Sequence, residues 1–197
     1  MNRIICVTVM TLQLSIPAAR GEELTFADLD GAVVEARFVR ERMNRIQGRE
    51  FEVRVDTDVK LVIGPGERIE RTIAITMHTP RGIKKSPTEK SVHALEKPTE
   101  TLSRGGGHGV FVFVDGALTA MRTFKSGGLR LTIAFSRGEQ SLTCNATQAY
   151  ARENGVDRIV LENPIDGLPT VILSSKQISS TCQVTLPKTG ATHEDHH

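Results

Sequence analysis

The chain is poor in aromatic residues. It contains no tryptophan and a single tyrosine, Tyr150, and its aromatic content is 4 %. Proteins that hold single-stranded nucleic acid, and many that hold carbohydrate, use exposed aromatic faces as stacking platforms. The composition therefore disfavours both classes of binding protein.

A net charge is also nearly absent. The chain has 25 Lys and Arg against 23 Asp and Glu, and residues 1–21 contain Arg3, Arg20 and no acid, so the remainder carries 23 of each sign. Non-specific attraction to phosphates requires a net basic surface. We therefore expect no nucleic-acid partner.

Common catalytic and metal-binding motifs are missing. The sequence has no G-x-S-x-G, no phosphate-binding G-x-x-x-x-G-K-[ST], no H-E-x-x-H and no C-x-x-C. A polar, histidine-rich tail at residues 188–197 carries imidazoles and carboxylates that can ligate metal. The polar composition of this tail predicts that it is disordered. Because a disordered segment is a poor preorganised site, we expect neither a metal site nor a cofactor.

The first residues have the layout of a secretory signal peptide. Arg3 supplies a positive start, residues 4–16 are free of charge, and small or helix-breaking residues follow from Pro17 to Gly21. We predict cleavage after Gly21, with cleavage after Ala19 as the alternative. The apolar stretch is shorter than the roughly 20 residues of a membrane span, and no later segment is long and apolar enough to be one. The protein is expected to be exported, either to the periplasm or out of the cell.

Cysteine usage agrees with export. Cys6 lies in the predicted signal peptide, which leaves Cys144 and Cys182 as a pair. An even pair in an exported chain predicts a disulfide. Counting by twos places each sulfur on the apolar face of its predicted strand, in phase with Leu142 for Cys144 and with Ile178, Val184 and Leu186 for Cys182.

Alternation of apolar and polar residues predicts strands over most of the chain. In the first segment Val34, Ala36 and Phe38 alternate with Glu35 and Arg37. The corresponding apolar sets further on are Phe51, Val53 and Val55; Ile69, Ile73, Ile75 and Met77; and Leu129, Leu131, Ile133 and Phe135. A period of two predicts sheets with one dry and one wet face. The fold class is all-β: one domain over residues 22–187, an antiparallel meander forming a barrel or a sandwich with one inter-strand disulfide.

Three stretches depart from this pattern. Residues 26–30 and 146–154 are the best helix candidates. Residues 79–104 contain three prolines and six Lys or Arg residues and predict a long polar loop with a short strand near residues 92–95. Glycine dipeptides at 47–48, 115–116, 127–128 and 166–167 predict turns.

The candidate ligand-binding residues lie near a glycine-rich segment at residues 105–109. His108 stands within it, and glycines can aim backbone N–H groups at an anion. Arg122, Lys125 and Arg130 flank the predicted turn at residues 127–128 and can form a cationic rim with His108. A flexible hinge is the favoured interpretation of residues 105–109, and acid–base catalysis by His108 is the least favoured.

Short segments spread along the chain resemble those of exported bacterial proteins of unknown function. They are Asp28-Leu29-Asp30-Gly31, Ile63-Gly64-Pro65-Gly66, Gly105-Gly106-Gly107-His108, Val114-Asp115-Gly116, Leu142-Thr143-Cys144 and Ser179-Ser180-Thr181-Cys182. This resemblance implies export but no activity.

The favoured hypothesis is an exported β-domain that binds a small ligand or a component of the cell envelope. A structural or assembly role in the envelope is the first alternative, and a hydrolase using His108 is the second. No catalytic residue is assigned.

Overall fold

The computed structural model describes residues 24–96, 110–124, 127–138, 141–151, 159–162 and 169–187. Within these ranges the chain forms a short 3₁₀ helix, Phe26–Leu29, and strands that pair only with antiparallel neighbours. The strands are β1 (Val33–Ile46), β2 (Arg49–Gly64), β3 (Arg68–Thr79), β4 (Gly82–Lys85), β5 (Glu89–Ala94), β6 (Val110–Val114), β7 (Ala117–Phe124), β8 (Gly127–Arg137), β9 (Leu142–Ala151), β10 (Ile159–Glu162) and β11 (Pro169–Thr185). The predicted all-β class is confirmed.

The strands form two sheets. The larger has the order β10-β11-β1-β2-β3-β4, with β5 also paired to β3, and the smaller has the order β6-β7-β8-β9. Among the described residues the hydrogen-bonded ladders do not close into a barrel, and one isolated bridge, Leu95 to Phe111, joins the sheets at one side. Of the two predicted architectures, the structure is a sandwich.

The main core lies between the sheets where the predicted alternation places it. Val34, Ala36 and Phe38 of β1 are buried, while Glu35 and Arg37 lie on the opposite face. The small sheet contributes the other half of this core, including Phe111, Leu118, Ala120, Leu131, Ile133, Phe135 and Ala146. Period-two patterning in both sheets therefore determines which faces meet.

The helix predicted at residues 26–30 is present as the 3₁₀ turn, but the one predicted at residues 146–154 is wrong. The part of that segment that the structure describes continues β9 through Ala151. Ala146 and Gln148 are buried and Thr147 and Ala149 are exposed, which is a strand period rather than a helical one. Pairing with β8 outweighs the weak helix propensity of the segment.

The long loop predicted over residues 79–104 is wrong in part, because β4 and β5 lie within residues 79–96 and both pair with β3. Residues 97–104 lie outside the described residues. Their side chains are largely exposed, as suits short strands at a sheet edge, so they lack the apolar alternation that identifies a half-buried strand. The Gly127-Gly128 pair, predicted as a turn, instead begins β8.

The predicted disulfide joins the two sheets. The Sγ atoms of Cys144 in β9 and Cys182 in β11 are 2.06 Å apart, and the Cα atoms are 5.6 Å apart. Because β9 and β11 belong to different sheets, the bond closes the side of the sandwich opposite the Leu95 bridge.

Two shifts of register between β1 and β11 interrupt the regular alternation of inward and outward side chains in β11. Val39 pairs with Ser179, but the next residue of β1, Arg40, pairs with Gln177, so Ile178 is left over. A second shift follows Met43. A bulge of this kind exchanges the faces that side chains occupy. Ile178, predicted to point inward, is 48 % exposed as a result.

An ion cluster on the outer face of the large sheet centres on Asp56, whose side chain is only 6 % exposed. Its carboxylate accepts hydrogen bonds from Arg37 Nη2 at 2.8 Å and Arg54 Nε at 3.1 Å. Burial raises the pKa of Asp56, but these bonds outweigh burial and hold the pKa below its ordinary value.

We predict that Asp56→Asn lowers the free energy of unfolding by about 1–2 kcal/mol at neutral pH, because the negative charge and one of the two oxygens that accept from the guanidinium groups are lost. A carboxyl group whose pKa is lower in the folded state than in the unfolded state stabilises the folded protein at pH values above its unfolded pKa. This stabilisation disappears as the pH falls through the folded pKa. The difference between wild type and variant should therefore shrink below about pH 4, in urea unfolding curves measured across pH. Asp58→Asn is the control: Asp58 is 56 % exposed and 3.8 Å from Arg37, so the expected cost is under about 0.5 kcal/mol. An equal effect of both substitutions would contradict this account.

Candidate anion-binding site

The inner face of β1 changes from apolar to polar part-way along the strand. Val34, Ala36 and Phe38 are followed on the same face by Arg40, Arg42 and Asn44. Strand geometry turns every second side chain inward whatever its chemistry. The register with β11 and the packing of β9 therefore bury Arg40 and Asn44 inside the sandwich and leave Arg42 half-buried beside them.

Arg40 is buried, with 4 % of its surface exposed. Its Nε donates to Ser175 Oγ at 3.0 Å, and its Nη1 donates to the main-chain oxygen of Gln148. Ser175 is on β11 and Gln148 is on β9, so the guanidinium connects both sheets. Both acceptors are neutral.

Arg42 and Tyr150 complete the cationic part of the site. The Cζ atom of Arg42 is 5.0 Å from the centroid of the Tyr150 ring, and that of Arg40 is 5.2 Å from it. Both distances fall within the range of a cation–π contact. One aromatic ring from the small sheet thus lies against two guanidinium groups from the large sheet.

This pair of cations has no carboxylate partner in the part of the chain that the structure describes. Burial lowers the pKa of Arg40, Tyr150 raises it, and the like charge of Arg42 lowers it. An arginine stays protonated in proteins despite such shifts. Among the described residues, the guanidinium groups of Arg40 and Arg42 therefore lie close together without a neighbouring negative charge.

Several buried polar atoms beside the arginines have no hydrogen-bond partner within the described structure. They are Arg42 Nε, Asn44 Oδ1 and Gln148 Oε1. Asn44 is 1 % exposed and Gln148 is 7 % exposed. A buried polar group without a partner costs about 1–3 kcal/mol. A polar ligand that bonded these atoms would recover that free energy.

Two successive hydrogen bonds connect the site on β9 to residues of β11. Gln148 N donates to Gln177 Oε1 at 2.8 Å, and Gln177 Nε2 donates to Ser180 Oγ at 3.3 Å. Gln177 can reach β9 because the register shift at Ile178 turns it inward. We call Arg40, Arg42, Asn44, Gln148, Tyr150, Ser175 and Gln177 the arginine cluster.

The cluster's chemistry is that of an anion receptor. Guanidinium groups present N–H donors in a planar fork that matches carboxylate and phosphate oxygens. In a low-dielectric interior, each such bond is stronger than at the surface. An acidic group beside Arg40 and Arg42 would neutralise charge whose burial otherwise costs several kcal/mol per ion by general estimates.

The residues predicted from sequence lie elsewhere, or outside the described residues. His108 and Lys125 are not described. Arg130 is exposed on the outer face of β8. The backbone of Arg122 pairs with that of Leu129, which pairs in turn with that of Tyr150. The backbone of Arg122 is therefore in register with Tyr150 of the arginine cluster. A shared site for these four residues remains a prediction, as does catalysis by His108.

The sequence contains a signal for the cluster that our prediction did not use. On β1 the positions in phase with Phe38 continue as Arg40, Arg42 and Asn44 without a turn residue between them. Polar residues at the alternating positions that follow an apolar set indicate one of two structures. Either the strand end is exposed to solvent, or the residues form a buried polar site. Only the packing of Tyr150 and Gln148 above them distinguishes the two.

A concavity separate from the arginine cluster lies on the outer face of the large sheet. It has a volume of about 490 Å³ and is lined by Glu35, Ala36, Arg37, Asp58, Val59, Lys60, Thr72, Ala74, Thr181, Cys182 and Gln183. Its charges are already paired: Lys60 Nζ is 3.0 Å from Glu35, and Arg37 is bonded to Asp56. It lacks the uncompensated charge that marks the arginine cluster.

The fold and the cluster together define a two-sheet β-sandwich with a cationic interior site. No protein-family model, curated protein or solved structure matches the chain. The described residues include no group of three or more His, Cys, Asp or Glu side chains placed to hold a metal ion. They also include no helix with the length and apolar character required to cross a membrane.

Proposed function

We propose that this protein is a binding module whose arginine cluster holds the acidic group of a small ligand. The observation that carries the proposal is the burial of Arg40 beside Arg42, where its hydrogen-bond acceptors among the described residues are neutral. Buried charges in proteins are normally paired. A ligand carboxylate or phosphate would supply the missing charge, and a ligand hydroxyl could bond the free oxygens of Asn44 and Gln148.

The proposal includes export to the periplasm or the exterior. The pattern of residues 1–21 supports it, and a disulfide is compatible with an oxidising compartment. An intact mass of the protein recovered from its own cells tests this part: a mass that includes residues 1–21 contradicts it.

Binding can be followed at the site itself, since Tyr150 is the only tyrosine in a chain without tryptophan. We predict that inorganic phosphate or acetate changes the tyrosine fluorescence saturably. Arg42→Met should weaken this binding about ten- to a hundredfold, because a charged hydrogen bond contributes about 1.5–3 kcal/mol. Calorimetric titration provides a second measurement.

The matched control is Arg68→Met. Arg68 is exposed at the opposite end of the large sheet, where it pairs with Glu70 at 2.9 Å. This variant should bind anions as the wild type does. The proposal is wrong if neither anion nor any longer acid binds, or if the two arginine variants weaken binding equally.

A further inference from the structure

We infer that the ligand is an amphiphilic anion, with one acidic head group on an alkyl chain. This inference rests on the proposed function, because it assigns the head group to the arginine cluster. It adds a second half to the site, formed by the apolar side chains of β2 and β3 next to the arginines.

The register of β1 and β2 places charged and apolar residues side by side. Arg40 pairs with Val55 and Arg42 pairs with Val53. Directly opposed residues of an antiparallel pair project to the same face, with their Cβ atoms about 4.5–5.5 Å apart. Each guanidinium stem therefore has an aliphatic neighbour across the strand.

The apolar residues form a cluster of their own. Val53, Val55 and Met77 are buried together, and Phe51 and Ile75 pack against them while remaining partly exposed. We call these five residues the apolar strip. The small sheet supplies much of the main core, but the described members of the strip come only from β2 and β3.

The two flanks of the arginines differ in chemistry. On the β11 side their register partners are the polar residues Gln177 and Ser175, and on the β2 side they are Val55 and Val53. The next residue across from Val55 is Met77 of β3. An acid bound at Arg40 and Arg42 thus has polar neighbours in one direction and apolar ones in the other. The alkyl chain would run from β1 across β2 towards β3, entering past the partly exposed Phe51 and Ile75.

Affinity should therefore increase with alkyl length. Burying one methylene group contributes about 0.8 kcal/mol, which corresponds to roughly fourfold in affinity. Tyr150 fluorescence and calorimetry would be measured on the oxidised protein with acetate, hexanoate and dodecanoate, all below micelle-forming concentrations. Dodecyl phosphate tests whether the head group can be a phosphate. We expect dodecanoate to bind at least about a hundredfold more tightly than acetate.

A substitution in the strip separates the alkyl chain from the head group. Val55→Thr keeps the shape of the side chain and replaces one methyl group by a hydroxyl, and it should weaken the binding of dodecanoate severalfold while leaving that of acetate within about twofold. Ile75→Thr, at a partly exposed position, repeats the test with less risk to folding. Val62→Thr, on the other face of β2, is the control and should change neither affinity.

The outcomes distinguish this inference from the function on which it rests. If acetate and dodecanoate bind equally, the alkyl part is wrong and anion binding stands. If no acid binds, both are wrong. Sedimentation with anionic phospholipid vesicles, without binding of monomeric dodecanoate, would instead indicate docking on a lipid surface and overturn the inference.

Discussion

The double substitution Cys144→Ala and Cys182→Ala should lower the free energy of unfolding by about 3–4 kcal/mol. The disulfide connects residues 38 apart in sequence, and the entropy of closing a loop of that length corresponds to this loss. Because domains of ordinary size have about 5–15 kcal/mol of stability in total, the variant is expected to unfold at a much lower denaturant concentration. Urea unfolding followed by circular dichroism measures the difference.

The oxidised and reduced wild type provide the control. Reductant should lower the unfolding midpoint of the wild type to near that of the double variant and leave the variant unchanged. An oxidised wild type that unfolds at the same urea concentration as the variant would show that the sandwich does not depend on this bond.

The same bond bears on ligand binding, because β9 and β11 both continue from their cysteines into the arginine cluster. Gln148 lies four residues beyond Cys144, and Gln177 lies five residues before Cys182. These two residues are hydrogen-bonded to each other across the sheets. Loss of the disulfide is therefore expected to weaken anion binding as well as stability, whereas Asp56→Asn on the outer face should affect stability alone.

The strands and their faces could be predicted because a period of two is a strong and local signal. Phe38, Val53 and Ile133 are buried as the alternation requires, and the cysteines meet because each lies on the inner face of its strand. The edge strands β4 and β5 could not be predicted in the same way. Their side chains bury little surface, so their pairing with β3 depends on backbone hydrogen bonds that any residue other than proline can make.

The register shifts in β11 were equally hidden. A bulge inserts one residue into one strand and leaves the composition unchanged, so alternation alone placed Ile178 inward and Gln177 outward. The structure reverses both positions. Because Gln177 faces inward only after this shift, the polar connection from Gln148 to Ser180 could not be inferred from the sequence.

The arginine cluster was missed for a different reason: its members are distant in sequence and ordinary one by one. Arg40 and Arg42 continue a dry face and have the composition of a solvent-exposed strand end, while Tyr150 lies in a segment that we predicted to be partly helical. Only the pairing of β9 with β8, and the packing of β9 over β1, brings the ring against the two guanidinium groups. The cationic charge of the interior is thus a property of the tertiary fold.

A buried cation retained for ligand binding should reduce stability, and Arg40→Met tests this directly. Removing Arg40 leaves Ser175 Oγ and the Gln148 oxygen without their donor, at a cost of about 1–3 kcal/mol. It also removes the cost of holding an unpaired charge in the interior, which is several kcal/mol, and methionine fills similar space. We expect the second effect to be larger, so that the free energy of unfolding without ligand rises by about 1–2 kcal/mol while anion binding is lost.

Urea unfolding of Arg40→Met, wild type and Arg68→Met, each with and without saturating phosphate or dodecanoate, gives the comparison. Ligand should stabilise the wild type and the Arg68 variant by an amount that grows with ligand concentration, because binding to the folded state alone shifts the unfolding equilibrium. It should leave the Arg40 variant unchanged. A loss of more than about 1 kcal/mol in the unliganded Arg40 variant would mean that the hydrogen bonds of Arg40 outweigh the cost of burying its charge. The arginine would then be structural, since a group that stabilises the empty protein needs no ligand to account for its burial.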